Sequence, residues 1–208
     1  FTIHKVPVPG GSVFAVMVNA EGHVVEISDC NIIGEDFDAI YVSDLGRIDR
    51  ISESYIVSAN GSGVYVENEG SIGVIQECEV QGCGAWYAIR GPVELVEGNR
   101  VTGVIRYTEG IIRGNRIRGT VYGGSVIEFN DIVGNIWFAD IVRYNTIQGV
   151  IYHCHNIVGN VCSGITLAHL SEGLIENNLL LGSAVTMGGM LIEGGGGLEV
   201  ISKVLSSR

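Results

Sequence analysis

Residues 111–125 read IIRGNRIRGTVYGGS, residues 126–140 read VIEFNDIVGNIWFAD, and residues 141–155 read IVRYNTIQGVIYHCH. Ile112, Ile127 and Val142 stand 15 residues apart, and each is followed five residues later by Ile117, Ile132 and Ile147. A fixed period of this kind marks units that bury their apolar faces only against their neighbours. The same five-residue pairing extends outward in both directions. Ile27 pairs with Ile32, Ile51 with Ile56, Ile75 with Val80 and Val96 with Val101; beyond the quoted stretch come Ile157 with Cys162 and Ile175 with Leu180. Read from the second member of each pair, successive spacings are 24, 24, 21, 16, 15, 15, 15 and 18 residues.

Two further columns keep this register. Two residues before the second apolar position stand Cys30, Ser54, Cys78, Asn99, Asn115, Asn130, Asn145, Asn160 and Asn178. Two residues after it stand Gly34, Ser58, Gly82, Gly103, Gly119, Gly134, Gly149, Gly164 and Gly182. A stacked Asn can bond the amide of the next coil, and Gly permits a positive φ where a short strand turns. A third side is marked by an aliphatic residue beside an aromatic one: Ile40-Tyr41, Val64-Tyr65, Val121-Tyr122, Ile136-Trp137 and Ile151-Tyr152. These columns predict an all-β, single-stranded parallel β-helix, or β-solenoid, of about nine coils. It has three short strands per coil, with triangular 15-residue coils in the C-terminal half and an extra side or loop in the first coils. Asn99, Asn115, Asn130, Asn145, Asn160 and Asn178 form its structural ladder.

The N-x-I-x-G motif, as in Asn115-Arg116-Ile117-Arg118-Gly119, resembles the right-handed parallel β-helix repeat of pectate-lyase-like and NosD-like proteins. The resemblance covers roughly residues 23–183 and implies the fold; its members include lyases, hydrolases, phage spikes and structural proteins, so it leaves function open. Residues 1–22 are expected to form an N-terminal cap or assembly strand. Residues 184–208, with four glycines at 194–197 before Leu198–Leu205, are expected to form a C-terminal cap or a Gly-tethered assembly strand, because a solenoid exposes strand edges at both ends.

With 23 acidic against 12 basic side chains, the surface repels phosphate backbones, which excludes nucleic acid as an expected partner. No apolar run is long enough to predict a membrane span. The chain starts at Phe1, which reads as a processed, exported protein, and extracellular or surface localisation is the expectation. Five cysteines at irregular spacing fit neither a disulfide framework nor a zinc motif. Asn60-Gly61-Ser62 is a candidate glycosylation sequon.

The lyases in the resembling group use a carboxylate cluster for calcium, with an Arg or Lys as base. Glu35, Asp36, Asp38 and Asp44 are the best acidic cluster here, and calcium is the cation that four carboxylates could help to hold, the bland alternative being a solvated turn. Arg100, Arg116 and Arg118 flank the second side, yet Glu97, Arg113, Glu128 and Arg143 alternate in sign down one column and read as ladder ions. His153-Cys154-His155 contains metal-ligand types, but strand alternation sends residues 153 and 155 one way and 154 the other. Tyr122, Trp137 and Tyr152 form a stack that would bind sugar if outward and would be core if inward. No catalytic constellation is expected.

One column points to assembly. Glu26, Arg50, Val74, Leu95, Ile111, Val126, Ile141, Asn156 and Leu174 each precede a buried apolar position and should face outward. Val74, Leu95, Ile111, Val126 and Ile141 form a continuous apolar stripe, the mark of an interface. The expectation is a secreted structural subunit that self-assembles into a filament, sheath, surface layer or virion fibre, with itself as partner. A carbohydrate-binding or polysaccharide-cleaving β-helix is the alternative.

Overall fold

The computed structural model describes residues 2–4, 15–19, 21–67, 69–83, 87–106, 108–167, 173–182, 185–187, 190–193 and 199–205. They form one 28-stranded sheet that winds about an axis as a β-solenoid. Three sides stack strand on strand, all in parallel. The first side begins with β3 (His23–Ser28) and continues through β6 (Arg47–Ser52), β9 (Ser71–Gln76), β12 (Val93–Glu97), β15 (Ile111–Arg113), β18 (Val126–Glu128), β21 (Ile141–Arg143) and β23 (Asn156–Val158) to β25 (Gly173–Leu180). The second side includes β13 (Arg100–Thr102), β16 (Arg116–Arg118) and β19 (Asp131–Val133). The third includes β5 (Ile40–Val42), β8 (Val64–Val66), β11 (Tyr87–Arg90), β14 (Val104–Arg106), β17 (Val121–Tyr122) and β20 (Ile136–Trp137).

Both apolar columns face the interior. Ile51, Ile75, Val96, Ile112, Ile127, Val142 and Ile157 are fully buried on the first side, as are Ile32, Ile56, Val80, Val101, Ile117, Ile132 and Cys162 on the second. Full burial of one such aliphatic side chain contributes roughly 1.5–3 kcal/mol relative to exposure. The longer N-terminal coils hold an extra segment of the first side. There Ile48, Ile72 and Val93, three residues ahead of Ile51, Ile75 and Val96, also point inward, so two inward residues share one strand and the strand must bend between them. The interior therefore narrows as the coils shorten to 15 residues.

The Asn column is a continuous hydrogen-bonded seam. Asn130 is 3% exposed. Its Oδ1 accepts from the backbone N–H of Asn115 at 2.9 Å and from Asn115 Nδ2 at 3.0 Å. Its own backbone N–H donates to Asn145 Oδ1 at 2.9 Å. Its Nδ2 shares its protons among Ile112 O, Glu128 O and Asn145 Oδ1, each at 2.9 Å. The same bonds recur from Asn99 to Asn178. In the wider coils Cys30, Ser54 and Cys78 keep part of the pattern: each donates its side-chain proton to the carbonyl two residues earlier, as the Asn amides do.

The corners correct the sequence reading in one respect. The left-handed positions are not mainly the Gly column or the Asn column but the column one residue before the Asn ladder: Asp29, Glu53, Glu77, Gly98, Gly114, Phe129, Tyr144, Gly159 and Asn177, with φ between 48° and 67°. A left-handed residue there turns the chain so that the following Asn points inward. In the Gly column φ is positive at Gly103, Gly119 and Gly134, as expected, and glycine is needed there also because neighbouring coils approach closely. A Cβ on Gly134 would lie 2.2 Å from Gly119 O, and one on Gly149 would lie 1.9 Å from Gly134 O, far inside van der Waals contact.

Strand pairing runs past both ends of the 23–183 repeat. Strands β1 (Thr2–His4) and β2 (Val16–Val18) pair in parallel with β4 (Asn31–Gly34) and β5, adding a partial coil. At the other end, β28 (Glu199–Leu205) turns back to pair antiparallel along β25 of its own chain, and β26 (Val185–Met187) forms an antiparallel hairpin with β27 (Met190–Glu193).

Replacing Asn130 by Ala leaves the Asn115 N–H and the Ile112 carbonyl without their partner in a buried setting. The expected loss is about 1–3 kcal/mol of unfolding free energy. The Asn60 amide makes one exposed bond, to Glu35 O, and Asn60→Ala should cost no more than about 0.5 kcal/mol. Chemical denaturation of both variants measures the difference; equal costs would remove the seam as a source of stability.

Candidate functional site

On the first side, strand alternation places one residue inward between two outward ones. Ile112 is buried, while Ile111 and Arg113 on either side are half-buried. Stacking repeats this arrangement. Leu95, Ile111, Val126 and Ile141 are in direct register and all half-buried, and Val74 precedes them in the same column. The outer surface of this side thus carries an apolar stripe five coils long.

Two residues along each strand runs the column Glu97, Arg113, Glu128 and Arg143, also in direct register. Arg113 Nε lies 2.7 Å from Glu97 Oε1, and Arg143 Nη2 lies 2.7 Å from Glu128 Oε2. The arginines are over 40% exposed, so each pair adds little stability, although alternation of sign penalises a slip of one coil. At the edge of this face, one residue further on, stand Phe129 and Tyr144. They are 60% and 52% exposed and stack with ring centroids 5.4 Å apart. The sequence reading missed both rings, because they occupy left-handed corner positions. The column immediately before the Asn ladder would have revealed them.

The third-side aromatics point outward, since their aliphatic neighbours Ile40, Val64, Val121, Ile136 and Ile151 are fully buried. Their column runs Tyr41, Tyr65, Arg90, Arg106, Tyr122, Trp137, Tyr152. Trp137 and Tyr152 stack with centroids 4.0 Å apart, and the Arg90 guanidinium sits 4.6 Å from the centre of the Tyr65 ring. From Tyr122 to Tyr152 the ring faces are turned toward the next coil, which leaves mainly edges for a ligand, while Tyr41 and Tyr65 meet edge to face. The exception lies at the corner beyond Trp137. Phe138, 61% exposed, follows Trp137 as Gly123 follows Tyr122. With no side chain at Gly123, the ring borders a cleft also lined by Thr108, Glu109, Gly124, Ser125 and Asp140. Thr108 Oγ1 is buried there without a hydrogen-bond partner among the described residues.

The remaining candidates do not converge. Asp38 Oδ1 accepts from the Ser62 N–H at 2.6 Å, fixing a turn, and Asp44 borders a different hollow with Tyr65, Glu67, Glu69 and Arg90. Glu35 and Asp36 are exposed. Among the described residues no three His, Cys, Asp or Glu side chains come together as a metal site. Asn60 is exposed, but its Nδ2 is held by Glu35 O at 2.7 Å and Ser62 is buried. His153 packs against Trp137 and Phe138, His155 reaches Asp140 at 3.3 Å, and Cys154 lies buried between them in the sequence. Arg116 and Arg118 line a shallow hollow with Glu79, Arg100 and Thr102.

Three thiols, those of Cys78, Cys154 and Cys162, behave as core. Burial pushes Cys78 up to about 11 and Cys154 and Cys162 up to about 12, because a thiolate is poorly solvated there. In the unfolded chain these groups ionise near 9.0. The folded state then binds more protons between pH 9 and 12, so stability should fall as pH rises through that window. Unfolding titrations from pH 8 to 11 should show this loss, and it should shrink when Cys154 and Cys162 are both replaced by Val. An unchanged slope would refute the assignment.

Comparison with protein-family models, with curated proteins and with solved structures finds no match to this chain.

Proposed function

We propose that the protein is a non-catalytic structural subunit that associates with copies of itself through the first side of its solenoid, in an extracellular or surface setting. The observation that carries the reading is the half-buried stripe of Val74, Leu95, Ile111, Val126 and Ile141 on a flat, regular face. Contiguous apolar surface on a soluble fold marks a partner-binding region. The C-terminal end closes with the chain's own antiparallel β28, so a copy stacked end to end there would not continue the parallel ladder. The parent should sediment as a dimer or larger species, and Ile111→Lys with Val126→Lys should return it to monomer with an unchanged β-sheet spectrum. A parent that stays monomeric at the highest soluble concentration would overturn the reading.

A second reading is carbohydrate binding, favoured by the open ring of Phe138 above Gly123. An aromatic ring flanked by carboxylates and hydroxyls suits the apolar face and hydroxyl rim of a sugar. Retardation in polysaccharide-containing native gels, lost in Phe138→Ala, would support it. Equal mobility with and without polysaccharide would exclude it for the glycans tested.

A further inference from the structure

Taking self-association through the first side as its starting point, we infer that the partner is a second copy lying antiparallel, related by a two-fold axis that runs along the strand direction between β15 and β18. Three columns on this face choose that arrangement, two of them independently of the apolar stripe.

The first column is charge. A two-fold axis parallel to the solenoid axis would carry the partner's ion column to the far side of the apolar stripe, where it faces no counterpart. An axis along the strands keeps the two ion columns face to face and reverses their order. Glu97, Arg113, Glu128 and Arg143 then meet Arg143, Glu128, Arg113 and Glu97. All four contacts join opposite charges, and a shift by one coil would oppose like charges. The chain carries a net charge of −11, so two copies repel over most of their surface. These four residues sum to zero, and the face they occupy is a place where approach is not penalised.

Size gives the second column. The corner beside the ions reads Gly98, Gly114, Phe129, Tyr144 up four consecutive coils. Under the same axis Phe129 meets the partner's Gly114 position, and Tyr144 meets the partner's Gly98 position. Both glycines are exposed, and a Cβ would clash with nothing at either, coming no nearer than 3.9 Å to another atom at Gly114 and 3.7 Å at Gly98. Large rings therefore face gaps, and neither pair of rings collides. The apolar stripe closes on itself in the same register, with Ile111 opposite Val126 and Leu95 opposite Ile141. Eight overlapping coils at about 4.8 Å, on a side about 16 Å wide, cover on the order of 600 Å² per copy, near the ~800 Å² of a standard interface.

The test is a charge-inverted chain, Glu97→Arg, Arg113→Glu, Glu128→Arg and Arg143→Glu. It keeps alternation within the chain and complementarity with its own copy, but it opposes like charges across a mixed antiparallel pair. Native mass spectrometry of parent and inverted chains, alone and mixed, is expected to show two homodimers and heterodimers depleted at least tenfold below the statistical share. Heterodimers at the statistical share would overturn the antiparallel arrangement while leaving self-association intact. If the parent forms no dimer at all, self-association itself fails. Should the inverted chain not fold, Gly98→Asn with Gly114→Asn supplies a second test, since Asn tolerates the left-handed backbone. That variant should keep its β-sheet spectrum and bind its own copy at least tenfold more weakly; undiminished dimerisation would overturn the proposed axis.

Discussion

The bond from each ladder Asn to the backbone of the preceding coil is the constraint on which the rest of this molecule depends. An amide in a dry interior must find partners for its oxygen and both protons, or it costs more than an apolar side chain would. In this chain the oxygen takes a backbone N–H of the preceding coil, the protons go to carbonyls of the preceding and the same coil, and the Asn's own backbone N–H is taken by the Asn oxygen of the next coil. Each coil therefore fixes the phase of its neighbour. The seam starts with Cys and Ser in the wide coils and becomes all Asn as the coils shorten. It persists while coil length changes, which is why residues elsewhere in a coil can be added without shifting the columns.

Fixed phase turns sequence columns into surface stripes. Ile111, Val126 and Ile141 are chemically ordinary residues, and they acquire meaning as a stripe only because the seam holds them in line. The same holds for the alternating ions and for the stacked aromatics, which use one another as partners along the axis. The ladder ions of the first side and the aromatics of the third are engaged in this way, so these two faces offer long rows more than convergent pockets. A row suits an extended partner, and the row with balanced charge and complementary size matches a reversed copy of itself. The notch at Phe138 is one place where a column is interrupted, because Gly123 omits the ring that the next coil supplies.

Much of this was legible in the sequence for a physical reason. Burial forces aliphatic residues into two columns, and buried amides force Asn into a third, so the repeat and the seam could be read directly. The left-handed corner was not legible, because Asp, Glu, Gly, Phe, Tyr and Asn all occupy it. That position is mostly exposed, and the residue that follows it points inward, Cys or Ser in the first three coils and Asn beyond them. The Gly column serves two ends that the sequence does not separate, a positive φ at Gly103, Gly119 and Gly134 and close carbonyl contacts at Gly119, Gly134 and Gly149, and both select glycine. The acidic residues at 35–44 lie close along the chain but project to separate turns, which sequence proximity cannot reveal. Outward placement of Tyr122 and Trp137 depended on the pleat of their strands, and the return of β28 onto β25 depended on a glycine tether without periodic pattern.

The distance between two copies of one exposed end position tests the central claim most directly. Val25, 67% exposed in the first full coil, can carry a spin label as Val25→Cys in a chain with Cys30 and Cys83 replaced by Ser. Pulsed dipolar spectroscopy on the dimer should give an axial separation of about nine coil spacings, on the order of 43 Å. A label-to-label distance of less than half that value would place the copies parallel and contradict the account.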